Sequence, residues 1–157
     1  MERIDLGQPF TVVVDYAHTP ASLEKVLTEL RPVTDGRLCV VFGCAGERDR
    51  GRRAGMGRVA GRLADFAVLT NEDPRTEDEA AIIAEIAAGL QAEGRREGED
   101  YVRIADRRQA MAYAFSHAGA GDLVLVTGKG HEQSIIVGRQ SLPWDDRAVA
   151  RELLAGL

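Results

Sequence analysis

The sequence is poor in cysteine and in long hydrophobic runs, and each shortage excludes a class of protein. Its two cysteines, Cys39 and Cys44, form no Cys-x-x-Cys pair and have no histidine cluster beside them, which excludes the common zinc and redox motifs. We expect both to be small buried side chains in a reducing compartment. The longest apolar runs fall far short of the roughly 20 residues that a membrane span needs. Charges at residues 1–5 stand where a signal peptide would need its apolar stretch, and we expect a cytoplasmic protein without membrane contact.

The charge of the chain is mildly acidic overall. Twenty lysines and arginines stand against 25 aspartates and glutamates in 157 residues, for a formal net charge of −5. This excess of acid argues against nucleic-acid binding, which normally uses a net basic face. One stretch is an exception because it collects six arginines: Arg48, Arg50, Arg52, Arg53, Arg58 and Arg62. They form either a focused anion site or a solvated arginine face.

Strand-like and helix-like segments alternate along the chain. Apolar runs, several of them β-branched, predict strands at residues 10–15, 38–42, 66–70, 101–105, 123–127 and 134–137. Apolar residues at helical spacing predict helices near residues 20–30, 56–63, 80–90, 107–118 and 145–154. The alternation predicts an α/β fold, namely a Rossmann-like doubly wound, mostly parallel sheet with helices on both faces, in one domain over residues 1–157.

Unusual polar segments follow four of the predicted strands, at residues 15–18, 43–53, 71–78 and 128–132. Ligands of open parallel sheets bind beyond the carboxyl ends of the strands. We therefore expect these four loops to meet on one rim and to form a small-molecule site.

The glycine-rich loop after residue 42 matches no standard nucleotide motif. It lacks the G-x-G-x-x-G spacing, and although Gly46 and Gly51 have the spacing of P-loop glycines, Arg52 and Arg53 replace the required Lys and Ser/Thr. The chain therefore shows no recognised means of holding a triphosphate with magnesium, and we predict no metal site. The loop does offer Arg48, whose planar guanidinium suits a carboxylate or a phosphate.

Two further loops permit both a structural and a functional interpretation. Residues 72–75, Glu-Asp-Pro-Arg, form either an ordinary strand-to-helix turn with acids near a helix N-terminus or a clamp for a zwitterion. Residues 128–132, Gly-Lys-Gly-His-Glu, carry more chemical variety than a turn requires. His18 is either a general base or a hydrogen-bonded structural histidine. No nucleophile elbow is present, so covalent acyl transfer has no support.

Five motifs, read together, resemble a known family: Asp15-Tyr16-Ala17-His18-Thr19-Pro20, Gly43-Cys44-Ala45-Gly46-Glu47-Arg48-Asp49, Asp73-Pro74-Arg75, Gly128-Lys129-Gly130-His131-Glu132 and Trp144-Asp145-Asp146. They resemble the C-terminal domain of the Mur ligases, ATP-dependent enzymes that form amide bonds in peptidoglycan precursor synthesis. The narrower similarity is to the MurE type, which adds the third stem-peptide residue to UDP-N-acetylmuramoyl-L-alanyl-D-glutamate. The similarity extends over nearly the whole chain.

The resemblance implies ligand roles for eight residues and a catalytic or metal-binding role for none. Asp15 would contact the ribose of ATP, with His18 nearby in the nucleotide site. The acceptor amino acid would be held by Arg48, Glu72, Asp73, Arg75, Gly128 and Glu132. ATP and magnesium would be bound mainly by a central domain, and the UDP-MurNAc-dipeptide by an N-terminal domain. Because neither domain is recognisable in these residues, we expect the polypeptide alone to be folded and inactive as a ligase.

The acceptor motif departs from the family pattern. The diaminopimelate-adding branch resembles Asp-Asn-Pro-Arg, whereas this chain has an acid, Asp73, in place of the amide. Arg75 favours diaminopimelate, whose distal carboxylate it would bind, while Asp73 favours ornithine or lysine. We expect meso-diaminopimelate, with an ornithine- or lysine-adding ligase as the alternative. Two further hypotheses are a folylpolyglutamate or cyanophycin synthetase and a free-standing amino-acid or nucleotide binding module.

Overall fold

The computed structural model describes residues 1–157, and a six-stranded sheet lies at its centre. The strands are β1 (Glu2–Ile4), β2 (Thr11–Asp15), β3 (Leu38–Phe42), β4 (Phe66–Leu69), β5 (Tyr101–Arg103) and β6 (Leu123–Thr127). Their order across the sheet is β1-β2-β6-β3-β4-β5, and all neighbours are parallel except β1 and β2. The predicted α/β fold is confirmed. The edge strand β1, which is three residues long, was not predicted.

Helices cover both faces of this sheet. They are α1 (Pro20–Leu30), α2 (Gly51–Leu63), α3 (Glu79–Ala92), α4 (Arg107–His117) and α5 (Asp146–Ala155), with a short 3-10 turn at Arg31–Val33. The first three pack on one face and the last two on the other. Alternate strand residues supply the two cores, because successive side chains of a strand point to opposite faces. In β2, for example, Val13 belongs to the first core and Val12 to the second.

Side-chain caps set the start of four helices. Thr19 caps α1 in a reciprocal capping box with Ser22, and Pro20 occupies the first turn. Aspartates cap the others, Asp78 before α3, Asp106 before α4 and Asp145 before α5. These caps fix the points at which the polar loops enter the helices.

The last strand-like segment belongs to a separate hairpin. Strands β7 (Ser134–Val137) and β8 (Gln140–Pro143) pair antiparallel outside the main sheet. Gly138, at φ +62°, lies in the two-residue turn between them. The sequence predicts β7 but not its partner, since every residue of β8 is exposed and no apolar pattern marks the strand. No helix of the molecule is both long and apolar enough to cross a membrane.

Candidate functional site

The four polar loops meet in one cleft at the carboxyl ends of the parallel strands. The cleft encloses about 320 Å³. It is lined by Tyr16, His18, Cys44, Ala45, Arg48, Asp49, Arg52, Glu72, Asp73, Arg75 and Glu132. Six of the eight site residues expected from the sequence thus lie on one surface. The other two, Asp15 and Gly128, lie next to it.

Glu72 forms the floor of the cleft, immediately beyond β4. Its side chain is only 7% exposed, and burial raises its pKa to about 7. The positive charges of Arg107 and Lys129 oppose this rise, whereas the carboxylates of Asp73 and Glu132 support it. Near neutral pH this carboxyl group can therefore exist in either protonation state, and an ammonium group brought next to it would favour the charged form.

Asp73, the next residue, is also buried but has partners within the protein. Its Oδ1 accepts a hydrogen bond from Lys129 Nζ at 2.8 Å and a second from the backbone N–H of Ile136, also at 2.8 Å. Lys129 is 1% exposed. Neither acid caps α3, since Asp78 does so. The structure therefore does not support the interpretation of these acids as helix N-terminal charges.

Arg75 turns back toward the glycine-rich loop. Its Nη1 donates to the carbonyl of Gly46 at 2.8 Å, and its guanidinium has no carboxylate partner in the chain while it lines the cleft. A Cβ at Gly46 would lie 1.9 Å from the carbonyl oxygen of Pro74. Only glycine permits this approach between the two loops. The loop after β3 and the turn after β4 are thus held against each other.

Gly128 lies between the loop after β2 and the loop after β4. It has φ +111°, and a Cβ there would lie 2.5 Å from Glu72 Oε2. Its backbone N–H donates to the carbonyl of Asp15 at 3.2 Å. Glu132 follows four residues later, at the cleft wall, with Oε1 3.5 Å from Lys129 Nζ. Gly128 therefore lets the backbone pass directly over the buried acid.

Asp15 and His18 face a second, adjoining cleft. Both line it with Thr19, Ser22 and Lys25, and His18 lines the main cleft as well. The Asp15 carboxylate accepts from the backbone N–H of Ala17 at 2.9 Å, and His18 Nδ1 lies 3.0 Å from the Tyr16 carbonyl. The partly exposed carboxylate suits hydroxyl groups such as those of a ribose.

The arginine-rich stretch separates into residues with different roles. Arg48 and Arg52 line the cleft and form no ion pair. Arg53 is 1% exposed and forms ion pairs with Glu77 and Glu85, and Arg50 also pairs with Glu85. The remaining two, Arg58 and Arg62, are exposed. The stretch is therefore neither one anion site nor one solvated face, because only two of its six members reach the cleft.

Sequence reasoning missed three structural supports of the site. Arg107, almost fully buried, forms an ion pair with Asp146 and donates to the carbonyls of Asn71 and Thr127, where β4 and β6 end. Lys129 belongs to the motif at residues 128–132, but the sequence predicted no role for it. Arg52 lines the cleft, but the sequence indicated it only as one of six clustered arginines and as a mismatch to the P-loop pattern. Charge alone does not distinguish such residues, because Arg107 and Lys129 are far apart in sequence from the carboxylates that they bind.

Both cysteines are free thiols, and they differ in burial. Cys44 is buried and burial raises its pKa to about 12, as expected for a small core side chain. Cys39 is only partly buried, which corrects the expectation of two buried cysteines. No three His, Cys, Asp or Glu side chains are grouped so that they could hold a metal ion.

Comparison with known proteins gives one consistent family. The family model of the Mur ligase glutamate ligase domain matches residues 1–130. A UDP-N-acetylmuramyl-tripeptide synthetase from Roseiflexus sp. (strain RS-1) is 57% identical over 157 residues, which are 100% of this chain and 31% of that protein. The chain therefore spans about a third of that relative's length.

Solved structures show the same relationship. A solved UDP-N-acetylmuramoyl-L-alanyl-D-glutamate--2,6-diaminopimelate ligase superposes with a TM-score of 0.91 at 36% identity, over 99% of this chain and 31% of the other. Escherichia coli FolC in complex with ADP reaches a TM-score of 0.58 at 19% identity, over 96% of this chain and 29% of its own. The second similarity shows a shared fold only.

Proposed function

The chain belongs to the Mur ligase family and matches its glutamate ligase domain, and from this we propose that it is the acceptor-binding domain of an ATP-dependent peptidoglycan ligase. The proposed reaction joins a third amino acid to UDP-N-acetylmuramoyl-L-alanyl-D-glutamate. The glutamate carboxylate would first be converted to an acyl phosphate, and the amine of the acceptor would then attack it. The single domain over residues 1–157 would present that amine.

The observation that carries the proposal is the pairing of opposite charges in one small cleft. Arg48, Arg52 and Arg75 line it without any carboxylate partner, and Glu72 and Glu132 line it beside them. Guanidinium groups bind carboxylates through two parallel hydrogen bonds, and buried carboxylates bind ammonium groups. A free amino acid carries both groups, so the cleft is complementary to a zwitterion.

The domain contributes orientation and not bond chemistry. Holding the amine in line with an activated carboxyl group replaces a bimolecular encounter by an effectively intramolecular one. ATP, when bound, supplies the phosphoryl group, and its triphosphate and magnesium would be held by other parts of the enzyme, since no P-loop pattern occurs in residues 1–157. Asp15 and His18 would contact only the nucleoside side.

We further propose meso-diaminopimelate as the acceptor. Two of the three arginines that line the cleft can bind its two carboxylates. Glu72 and Glu132 can bind its two ammonium groups. The ornithine or lysine alternative requires the negative charge of Asp73 to bind the acceptor. In the structure, Asp73 forms an ion pair with Lys129 instead. The solved diaminopimelate ligase at 36% identity is consistent with this choice.

Titration of the 15N-labelled chain with meso-diaminopimelate tests the proposal. We expect amide shifts at residues 45–49, 72–76 and 128–132, together with weaker binding of L-lysine. Arg75→Gln should lower the affinity for diaminopimelate, while Arg103→Gln, at an exposed position paired with Glu97, serves as a matched control. Shifts confined to other surfaces, or equal affinity in the two variants, would contradict the proposal.

A further inference from the structure

The turn that carries Arg75 has an unfavourable backbone conformation. Asp73 has φ +44° and Arg75 has φ +54°, so two residues with side chains flank Pro74 in the left-handed region. L-residues other than glycine adopt this region at a cost, and they remain there only where the surroundings hold them. The turn therefore depends on contacts from other segments.

The β7–β8 hairpin supplies most of these contacts. The backbone N–H of Arg75 donates to Ile136 O at 3.0 Å, and the N–H of Gly138 donates to Arg75 O at 2.6 Å. Arg75 thereby pairs with Val137 as a one-residue parallel bridge. From the opposite side, the N–H of Gly46 donates to Asp73 O at 2.9 Å. The hairpin and the glycine-rich loop enclose the turn.

Lys129 connects this arrangement to the core of the sheet. It follows β6 directly, and its Nζ reaches Asp73 Oδ1, the same oxygen that accepts from the Ile136 N–H. Because Asp73 is 7% exposed and Lys129 1% exposed, neither charge has bulk water as an alternative partner. Removing the ammonium group would leave a buried carboxylate uncompensated between the turn and the hairpin.

We propose that Lys129 is a positioning residue for acceptor recognition: by pairing with Asp73 it joins the Arg75 turn to the β7–β8 hairpin and holds the Arg75 guanidinium in the cleft. The proposal rests on the proposed acceptor-binding function. It assigns Asp73 to internal structure and leaves Arg75 to bind the distal group of the acceptor. Loss of the pair should therefore weaken the binding of a diamino dicarboxylate, whose distal carboxylate Arg75 would bind, more than the binding of a diamino monocarboxylate.

The experiment compares four variants with the wild-type 157-residue chain: Lys129→Met, Asp73→Asn, the double variant K129M/D73N and the control Arg58→Met. Arg58 is exposed on α2, away from both clefts. Amide hydrogen exchange reports the hairpin contacts, and titrations with meso-diaminopimelate and L-lysine report selectivity. The ratio of the two affinities is the decisive readout, because a general loss of stability would weaken both ligands equally.

For Lys129→Met we expect at least about tenfold faster exchange at the N–H groups of Arg75, Ile136 and Gly138, with β6 unchanged. The preference for diaminopimelate over lysine should fall by about tenfold, which corresponds to about 1.4 kcal/mol. The double variant should recover most of the protection, because asparagine still accepts the Ile136 hydrogen bond and no buried charge is left unpaired. R58M should match the wild type.

Three results would overturn the inference. Unchanged exchange in Lys129→Met would show that the pair does not hold the turn. An unchanged affinity ratio would show that it does not position Arg75. Loss of lysine binding alone in Asp73→Asn would make Asp73 a ligand for the acceptor. If Lys129→Met does not fold, Asp73→Asn and K129M/D73N still decide the matter. Failure of the proposed function looks different, since neither amino acid would then bind the wild type while the exchange pattern still followed Lys129.

Discussion

At the scale of single residues, the protonation of Glu72 links the site to stability. Burial raises its pKa from 4.5 to about 7 in the folded protein, so the folded state binds this proton more tightly than the unfolded state. The stabilisation from the bound proton is complete below pH 4.5 and is lost as the pH rises toward 7. The carboxyl group that would bind an ammonium group in the proposed function thus lies where its charge reduces stability.

Glu72→Gln removes this pH dependence while preserving the side-chain volume. We expect the unfolding free energy of the wild type to fall, relative to Glu72→Gln, by on the order of 3 kcal/mol between pH 4.5 and pH 8. Urea denaturation of both proteins at several pH values measures the difference. Parallel stability curves would show that Glu72 titrates as an exposed carboxyl group does.

The glycine at the end of β6 gives a second residue-scale prediction. Gly128→Ala combines a left-handed backbone with a Cβ placed against Glu72, whereas Gly98, at φ +90°, has open space around it. Gly98→Ala should therefore cost about 1–2 kcal/mol from backbone strain alone, and Gly128→Ala a further 1–3 kcal/mol or so from overpacking. Thermal denaturation of the two variants checks the difference. Equal costs would indicate that Glu72 moves aside freely.

At the scale of elements, the Arg107–Asp146 ion pair joins two helices to two strands. The pair links the first turns of α4 and α5, and Arg107 also binds the last carbonyl of β6 and the carbonyl of Asn71 beyond β4. Trp144 Nε1 donates to the same carboxylate at 2.7 Å. The loops that carry Glu72 and Gly128 leave the sheet at these two points.

Arg107→Met should destabilise the fold strongly, by about 3–5 kcal/mol, because it leaves the buried Asp146 without its partner. The adjacent residue provides a matched control. Arg108 forms an exposed pair with Glu152, with side chains 49% and 61% exposed, and Arg108→Met should cost less than about 1 kcal/mol. Urea denaturation distinguishes the two. Similar costs would mean that the buried pair contributes no more than a surface pair.

Elements with strong apolar patterns could be predicted from the sequence, and weakly patterned ones could not. Strands β2, β3 and β6 and helix α1 carry buried aliphatic residues at clear spacings, and all four were predicted within about a residue of their observed bounds. The edge strand β1 and the exposed strand β8 have no such pattern, because pairing and not burial defines them. For this reason the sequence predicted β7 but not its pairing with β8 in the hairpin that encloses the Arg75 turn.

At the scale of the whole molecule, parallel topology accounts for the grouping of the site residues. Every strand from β2 to β6 in the parallel set ends on the same rim, so the loops after residues 15, 42, 69 and 127 must meet there. The sequence did not predict which of these side chains would bind partners within the chain and which would remain free to bind a ligand. Asp73 and Glu72 look equivalent in sequence and both line the cleft, yet only Asp73 forms an ion pair with Lys129.

The most direct test of the account is a domain exchange. Residues 1–157 would replace the matching 31% of the Roseiflexus protein, and phosphate release from ATP would be measured with UDP-N-acetylmuramoyl-L-alanyl-D-glutamate and each candidate amino acid. We expect turnover that requires meso-diaminopimelate and is lost in Arg75→Gln, with no turnover by the 157-residue chain alone. Turnover supported only by ornithine or lysine would contradict the assigned acceptor. Ligation by the 157-residue chain alone would contradict the acceptor-binding role itself. The same holds if the amino-acid preference of the chimera does not depend on which domain it carries.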